Sequence, residues 1–377
     1  MSDSSQTRPA DQRPSNSEAG ASYATSQAPS SATFALADVR RRLEANEERL
    51  SPLAARSTQS RGRARPEQPS PVRTEFQRDR DRIIHSHAFR RLKHKTQVFI
   101  APLVDHYVTR LTHTLEVQQV ARTIARGLNL NEDLTEAICM GHDLGHGPFG
   151  HVGEKVLKEL VWPDFKHNEQ SLRIVDVLEK GGEGLNLTWE VRDGILQHSK
   201  GKSIEGRERG HPNTLEGQIV KIADSVAYLN HDIGDAIRAG MLRLEDLPRD
   251  SLDVLGHTHA SRINTMVCDI IEQSWDKPEI RMSAPVLAAT NQLRDFLTER
   301  IYYARSALED SVRASRLMSE LCRYFLAHPE DIPEDHRRGA EERGEPIERA
   351  VCDYLAGMTD SYAIRRFSEL WMPNYRA

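Results

Sequence analysis

From Thr74 onward, apolar residues recur at three- and four-residue intervals through most of the chain. After His113 the positions Val117, Val120, Ala121, Ile124 and Leu128 fall on one side, and Leu134, Ala137, Ile138 and Gly141 continue the pattern. The same spacing returns in Ile219, Ile222, Ala223, Val226 and Leu229. A period near 3.6 turns one stripe of a helix toward a core. Alternating runs of Val, Ile, Thr and Tyr are scarce, and only Thr96 to Ala101 reads as a short extended piece. The expected fold class is all-α. Stretches at 180–184, 199–213 and 328–347 are Gly-rich or charged and read as loops.

Upstream of Thr74 this pattern breaks. Residues 1–33 are Ser, Gln, Ala and Pro with almost no large apolar side chains. They bury too little surface to offset the entropy of ordering, so a disordered tail is expected. Residues 34–73 read as a short helix from Leu36 to Leu50, with Val39, Leu43 and Leu50 on one side, followed by a basic, Pro-broken connector at 51–73. That connector reads as a solvated linker or as an arm reaching a neighbouring subunit.

Composition narrows the function classes. Charged residues make up 28% of the 377, with a net charge of −5, so the molecule as a whole does not attract nucleic acid. Any site for a polyanion must be a local cluster of Arg, Lys or metal. The four cysteines, Cys139, Cys268, Cys322 and Cys352, are scattered without a CxxC pair. This argues against a zinc knuckle or a disulfide framework and suits a reducing cytosol. No apolar run approaches the roughly 20 residues that a membrane span requires. The opening MSDSSQTRPADQRPSNSE lacks the apolar core of a signal peptide. A cytoplasmic protein without membrane contact is expected.

Four residues break the apolar faces: His113, the adjacent pair His142-Asp143, and Asp224. A lone histidine on such a face is ordinarily a satisfied core residue, and a lone aspartate an ion-pair partner or a cap. Burying an isolated carboxylate is costly unless it is paired or ligates a metal. Two imidazoles and two carboxylates make a mixed N/O set suited to one divalent ion, Mn, Fe, Co, Ni or Zn, with Mg also accommodated. Four protein ligands on a six-coordinate ion leave two positions for water and a phosphate oxygen.

The segment GHDLGHGPFGHVGE (141–154) adds to this set. Its glycines and Pro148 end the helix that carries His142-Asp143 and turn the chain back. Glu154 follows His151 by three residues, on the same side of the next helix. A carboxylate that fixes an imidazole raises its basicity. His151 therefore reads as general acid/base, Glu154 as its orienter and His146 as a partner of the phosphate; the bland alternative is a surface His151–Glu154 pair. HNEQSLR (167–173) reads as a helix start capped by His167 or Asn168.

The order H…HD…D with HDLGHGPFGH resembles the HD-domain phosphohydrolases. The further segments RTEFQRDRDRIIHSHAFRRLKHKTQVF (73–99), FKHNEQSLR (165–173), TLEGQIVKIADSVAYLNHDI (214–233) and DYLAGMTDSYAI (353–364) resemble the bacterial deoxyguanosine triphosphate triphosphohydrolase-like proteins. The resemblance spans roughly residues 36–375. It implies an HD-domain helical bundle over 74–240 with a C-terminal helical region, 241–377, packed on it. The implied reaction is hydrolysis of a deoxynucleoside triphosphate (dNTP) to the deoxynucleoside and inorganic triphosphate, by water attack at the α-phosphorus. His113, His142, Asp143 and Asp224 match the family's metal ligands, His151 and Glu154 its catalytic pair, and His146 a histidine near the α-phosphate. Arg110 resembles an arginine that meets the phosphates, a task suited to a guanidinium fork. Gln97 resembles a glutamine on the sugar 3′-hydroxyl, and Tyr228 and Asp232 resemble residues lining the deoxyribose. A homo-oligomer and a dNTP effector are implied as partners by the same resemblance.

The chain departs from the family in three places. Ser225 follows the last metal aspartate where relatives often carry a basic residue, Ser361 stands where they tend to carry Arg, and His87 replaces a common Lys. Competing readings are an HD phosphodiesterase or 5′-nucleotidase with the same metal set, and a nucleotide- or single-strand-binding regulator that keeps the scaffold. For the latter, the alternating Arg/Asp run at 78–82 is more often a surface laced with ion pairs.

Overall fold

A computed structural model describes residues 36–97, 107–200, 203–206, 210–303 and 309–372. The predicted tail, 1–33, lies outside them, as does the extended piece beyond Gln97. Among the described residues the ordered elements are helices, and β-pairing is confined to isolated bridges at Arg63–Thr188 and Thr96–Thr109. The fold is all-α. None of the described helices is long and apolar enough to cross a membrane.

Helix α1 (Leu36–Glu47) stops one turn short of the Leu50 expected from periodicity. Its last residue, Glu47, instead accepts hydrogen bonds from the Ser57 backbone N and Oγ, both at 2.7 Å. Segment 51–73 is therefore not a solvated linker. Ser60 Oγ and Arg61 N bind the Glu190 carboxylate at 2.6 and 2.7 Å, and Arg61 stacks over the Trp189 ring at 3.6 Å. Arg63 is gripped by Glu75 at 2.6 Å and by Asp79. The segment looks like a linker because its partners are carboxylates far away in sequence, which leave no local periodic sign.

Helices α2 (Glu75–Ile84) and α3 (His87–Arg91) precede the three helices that build the centre. Helix α4 (Arg110–Gly127) starts at a Thr109–Thr112 capping box. Helix α5 (Glu132–Gly141) is capped by the Asn131 side chain, which accepts from the backbone of Asp133 and Leu134. Next come α6 (His151–Leu160), α7 (His167–Arg173), α8 (Trp189–Gln197) and the long α9 (Leu215–Arg238). The predicted apolar faces are those buried: α4 packs on α5 and α9, and α8 on α5 and α9. Helices α5 and α8 meet at reciprocal glycines. A Cβ at Gly141 would lie 2.4 Å from Ile195 Cδ1, and one at Gly194 would lie 2.5 Å from Ile138 Cδ1. This close approach brings the ends of the two helices, His142 and His198, ring to ring at 5.1 Å.

Helices α10 (Arg249–Leu255), α11 (His259–Ser274) and α12 (Ala284–Leu297) extend the same core. A second core forms where α6 meets α13 (Glu309–Ala327), together with α14 (Glu334–Glu342), α15 (Ile347–Ala356) and α16 (Asp360–Trp371). Helix α14 falls in the stretch 328–347 expected to be a loop. Ala340 is its one buried residue, so no apolar stripe betrays it in the sequence. The connection between Asp143 and His151 runs from the first core, at Leu144, to the second, at Phe149.

Candidate metal and phosphate site

Three helices bring His113, His142 and Asp224 into one set, and place Asp143 beside it, in a second set with His146 and His167. Arg110 and His113 lie one turn apart on the buried face of α4, His142-Asp143 follows the last turn of α5, and Asp224 sits midway along α9. His113 Nε2 is 3.2 Å from Asp224 Oδ1 and 3.7 Å from Asp143 Oδ2, and His142 Nε2 is 3.5 Å from Asp143 Oδ1. Ligand atoms of His113, His142 and Asp224 all lie within 4.8 Å of one another.

The donor chemistry fits a cation. His142 Nδ1 is 2.7 Å from the Cys139 carbonyl oxygen, which only accepts, so Nδ1 carries the ring proton. Its Nε2 is then a bare lone pair, fully buried and without a hydrogen-bond partner. An unpaired acceptor facing two carboxylates is the arrangement a metal satisfies. Behind His113, His231 Nε2 lies 3.0 Å from its Nδ1, and Asp232 Oδ1 lies 2.9 Å from His231 Nδ1. Burial opposes ionisation of Asp143, yet its neighbours His142 and His146, and the Arg110 guanidinium, outweigh it and hold the carboxyl well below its usual range. Asp224 is likewise held low against burial, chiefly by Lys200 and His113.

A second group adjoins the first through Asp143. His146 Nε2 is 3.2 Å from Asp143 Oδ1, and the His146 ring stacks on His167 at 4.0 Å. Glu154 is the hub: its carboxylate lies 3.3 Å from His167 Nδ1, 3.5 Å from His151 Nδ1 and 3.9 Å from His146 Nδ1. Burial disfavours the ionised Glu154, but the histidines around it lower its pKa. Burial alone would lower the His167 pKa, yet Glu154 raises it above the ordinary value. His151 is largely exposed and, with Glu154 and His167, lines a cavity of about 750 Å³ that also carries Lys155, Lys158 and Lys166.

The remaining predicted residues take mixed positions. Arg110 is buried, and its Nη1 donates to Asp143 Oδ2 at 2.8 Å. Gln97 keeps a buried, unpartnered Oε1, and its carbonyl oxygen lies against Gly150. Tyr228 sits under Lys200, whose Nζ is 4.9 Å from the ring centroid. Asp232 is buried, with its carboxylate 2.9 Å from His231 Nδ1.

Four residues of the cluster were not singled out from sequence: His167, His198, His231 and Lys200. His167 does not cap α7, whose N-cap is Lys166 without a side-chain bond, and Asn168 instead donates to Leu196 O at 2.7 Å. His198 stands between His142 and His167, with burial pushing its pKa down to about 3. His231 follows Asp224 by seven residues, two turns along the same face, and that spacing was the available signal. Lys200 Nζ lies 2.6 Å from Asp224 Oδ2. It brings a cation from the α8–α9 connection to a helix where Ser225 offers none. Nothing local in the sequence announces that.

An all-α scaffold with His, His-Asp and Asp converging from three helices defines an HD-domain protein. The HD-domain family model matches residues 110–229, and the phosphohydrolase-associated domain model matches 280–369. The chain belongs to the deoxyguanosinetriphosphate triphosphohydrolase-like family of HD-domain hydrolases. A relative of that name from Caldanaerobacter subterraneus subsp. tengcongensis is 58% identical over 86% of this chain and 93% of its own length. Similarly named relatives from Desulfatibacillum aliphaticivorans and Geobacter sulfurreducens are 49% and 39% identical, over 86% and 87% of this chain and 95% and 96% of theirs. Among solved structures, a phosphohydrolase from Bacteroides thetaiotaomicron aligns with a TM-score of 0.45 at 16% identity, covering 78% of this chain and 69% of that one.

Proposed function

We propose that the protein hydrolyses deoxynucleoside triphosphates, dGTP-like in class, to the deoxynucleoside and inorganic triphosphate, with one divalent ion held by His113, His142, Asp143 and Asp224. The observation that carries this reading is the sharing of Asp143. One carboxylate joins the ligand set to the His146–Glu154–His151 group, so the residues that would hold an ion adjoin a pair suited to proton transfer. Names of relatives supply the substrate class.

A divalent ion bound there supplies Lewis-acid polarisation of a phosphate oxygen and of water. The chain's own groups do the rest. Arg110 and Lys200 put positive charge beside the phosphates. Glu154 orients the His151 ring, and His151 delivers a proton to O5′ as the bond from that oxygen to the α-phosphorus breaks. The water oxygen stays on the departing triphosphate. Gln97 and Tyr228 contact the sugar, and a ring packed against C2′ excludes a 2′-hydroxyl. The four free cysteines accord with a cytoplasmic setting.

Product analysis tests this directly. The four dNTPs and GTP are incubated with Mg, Mn or Co, with and without a second dNTP as effector. Release of inorganic triphosphate and a deoxynucleoside, with GTP untouched, is the expected result. Orthophosphate or a monophosphate as first product would place the protein among HD nucleotidases and phosphodiesterases instead.

A further inference from the structure

The segment DYLAGMTDSYAI (353–364) has no part in the chemistry above, yet one of its carboxylates reaches both walls of the site. Asp360 is the first residue of α16, and the cap of that helix is already served by Thr359, whose side chain accepts from Tyr362 N at 3.2 Å. The Asp360 side chain is thus spared that duty. Its Oδ1 accepts from Phe149 N at 2.9 Å, and its Oδ2 accepts from Thr96 N at 3.0 Å and from Thr96 Oγ1. Phe149 precedes His151 by two residues, and Thr96 directly precedes Gln97.

The loop so held is one that would not hold itself. Phe149 has φ +59° and Gly150 φ +58°, a left-handed pair in which the first residue is a bulky aromatic. Such a backbone persists where its surroundings over-determine it. Here the Phe149 ring is seated in the second core and its amide is fixed by Asp360. Lys95 adds a second tie, donating from Nζ to the carbonyls of His146 and of Ala356, the latter at 3.1 Å. The two tethered segments also touch: a Cβ at Gly150 would lie 3.4 Å from both Gln97 O and Arg110 Nη2.

We infer that Asp360 is a positioning residue for the hydrolysis proposed above. From a C-terminal helix, it sets the spacing between the loop that presents His151 and the segment that presents Gln97. Only the activity arm of the inference rests on that proposed reaction; the tether itself does not.

The test compares full-length wild type, Asp360→Asn and Asp360→Ala. Hydrogen exchange is followed over 95–97 and 144–151, alongside bound Mn per chain, melting temperature, and kcat and KM for dGTP. In Asp360→Ala, exchange rises in those two segments alone and Mn binding stays at the wild-type level. The kcat falls about 100-fold, the scale of a displacement of about 1 Å in a reacting group. Asp360→Asn keeps one acceptor oxygen for the two amides, so its protection and kcat lie between the other two. Unchanged exchange at Phe149 and Thr96 overturns the inference, and so does a uniform rise along the whole chain in both variants. Absence of triphosphate release by wild type would instead defeat the proposed reaction, while exchange at the two segments still decides the tether.

Discussion

How His113 is presented depends on two side chains behind it. In the state that leaves His113 Nε2 a lone pair, its Nδ1 donates to His231 Nε2, and the other side of the His231 ring faces the Asp232 carboxylate at 2.9 Å. Outer groups of this kind fix the tautomer and orientation of a ligand, and removing them typically weakens metal binding about 10–100-fold. His231→Ala is expected to lose Mn affinity on that scale in competition with a chelator. His231→Gln, whose amide oxygen can accept from His113 Nδ1, recovers part of the loss. An alanine variant with wild-type affinity would remove the relay from consideration. The four proposed ligands were legible in the sequence because each is a polar interruption of a regular apolar face. His231 and His198 were not, because a histidine that serves another histidine looks like any buried one. Lys200 was hidden for a different reason: it reaches Asp224 from a connection without periodicity.

At the level of elements, an apolar stripe makes a helix legible in the sequence, whereas a segment held by charge leaves no such sign. Helices α4, α5 and α9 bury the faces their spacing announced, whereas segment 51–73 and α14 carry no such stripe. The first turn of α9 shows how a single acid replaces that signal. Glu216 is completely buried, and its Oε1 accepts from Ala55 N and Asn131 N, both at 3.0 Å. It thereby ties the 51–73 segment and the start of α5 to α9. Its Oε2 has no partner, and burial pushes its pKa up to about 7. A carboxyl whose folded pKa is raised binds more protons folded than unfolded. Its contribution is complete below about pH 4.5 and is lost as pH rises to about 7. The loss amounts to roughly 3 kcal/mol. Glu216→Gln keeps the accepting oxygen and cannot ionise. Thermal unfolding at pH 5, 6 and 8 should show the variant gaining on wild type across this interval and holding the gain above it. Parallel curves would mean that the carboxyl is charged in the fold throughout.

For the whole molecule, the question is what keeps two apolar cores in register across the site. Helix α7 runs from His167 to Arg173 on the first core, and α15 belongs to the second. They are joined by a buried ion pair. Asp353, 2% exposed, takes Arg173 Nε at 2.9 Å on both oxygens and Gln170 Nε2 at 2.9 Å, and Arg173 also grips Glu345 at 2.6 Å. Such a pair is weak as a source of stability, but breaking it from one side leaves the Arg173 guanidinium to Glu345 alone and takes the acceptor from Gln170 Nε2. Asp353→Ala is therefore expected to cost about 2 kcal/mol, seen as a lower melting temperature. The second core should loosen first, so that exchange rises in α13–α16 before it rises in α4, α5 and α9. Replacing both partners, Arg173→Met with Asp353→Leu, puts apolar side chains in place of the half-broken pair and should cost less than the single change. If the double variant is the less stable, the join is made by the ion pair itself and not by the packing around it. Because His167 begins α7, the Lys95 tether ends on Ala356, the last residue of α15, and Asp360 lies four residues beyond it, the loss of activity in Asp353→Ala should follow the loosening of the second core, with bound metal retained.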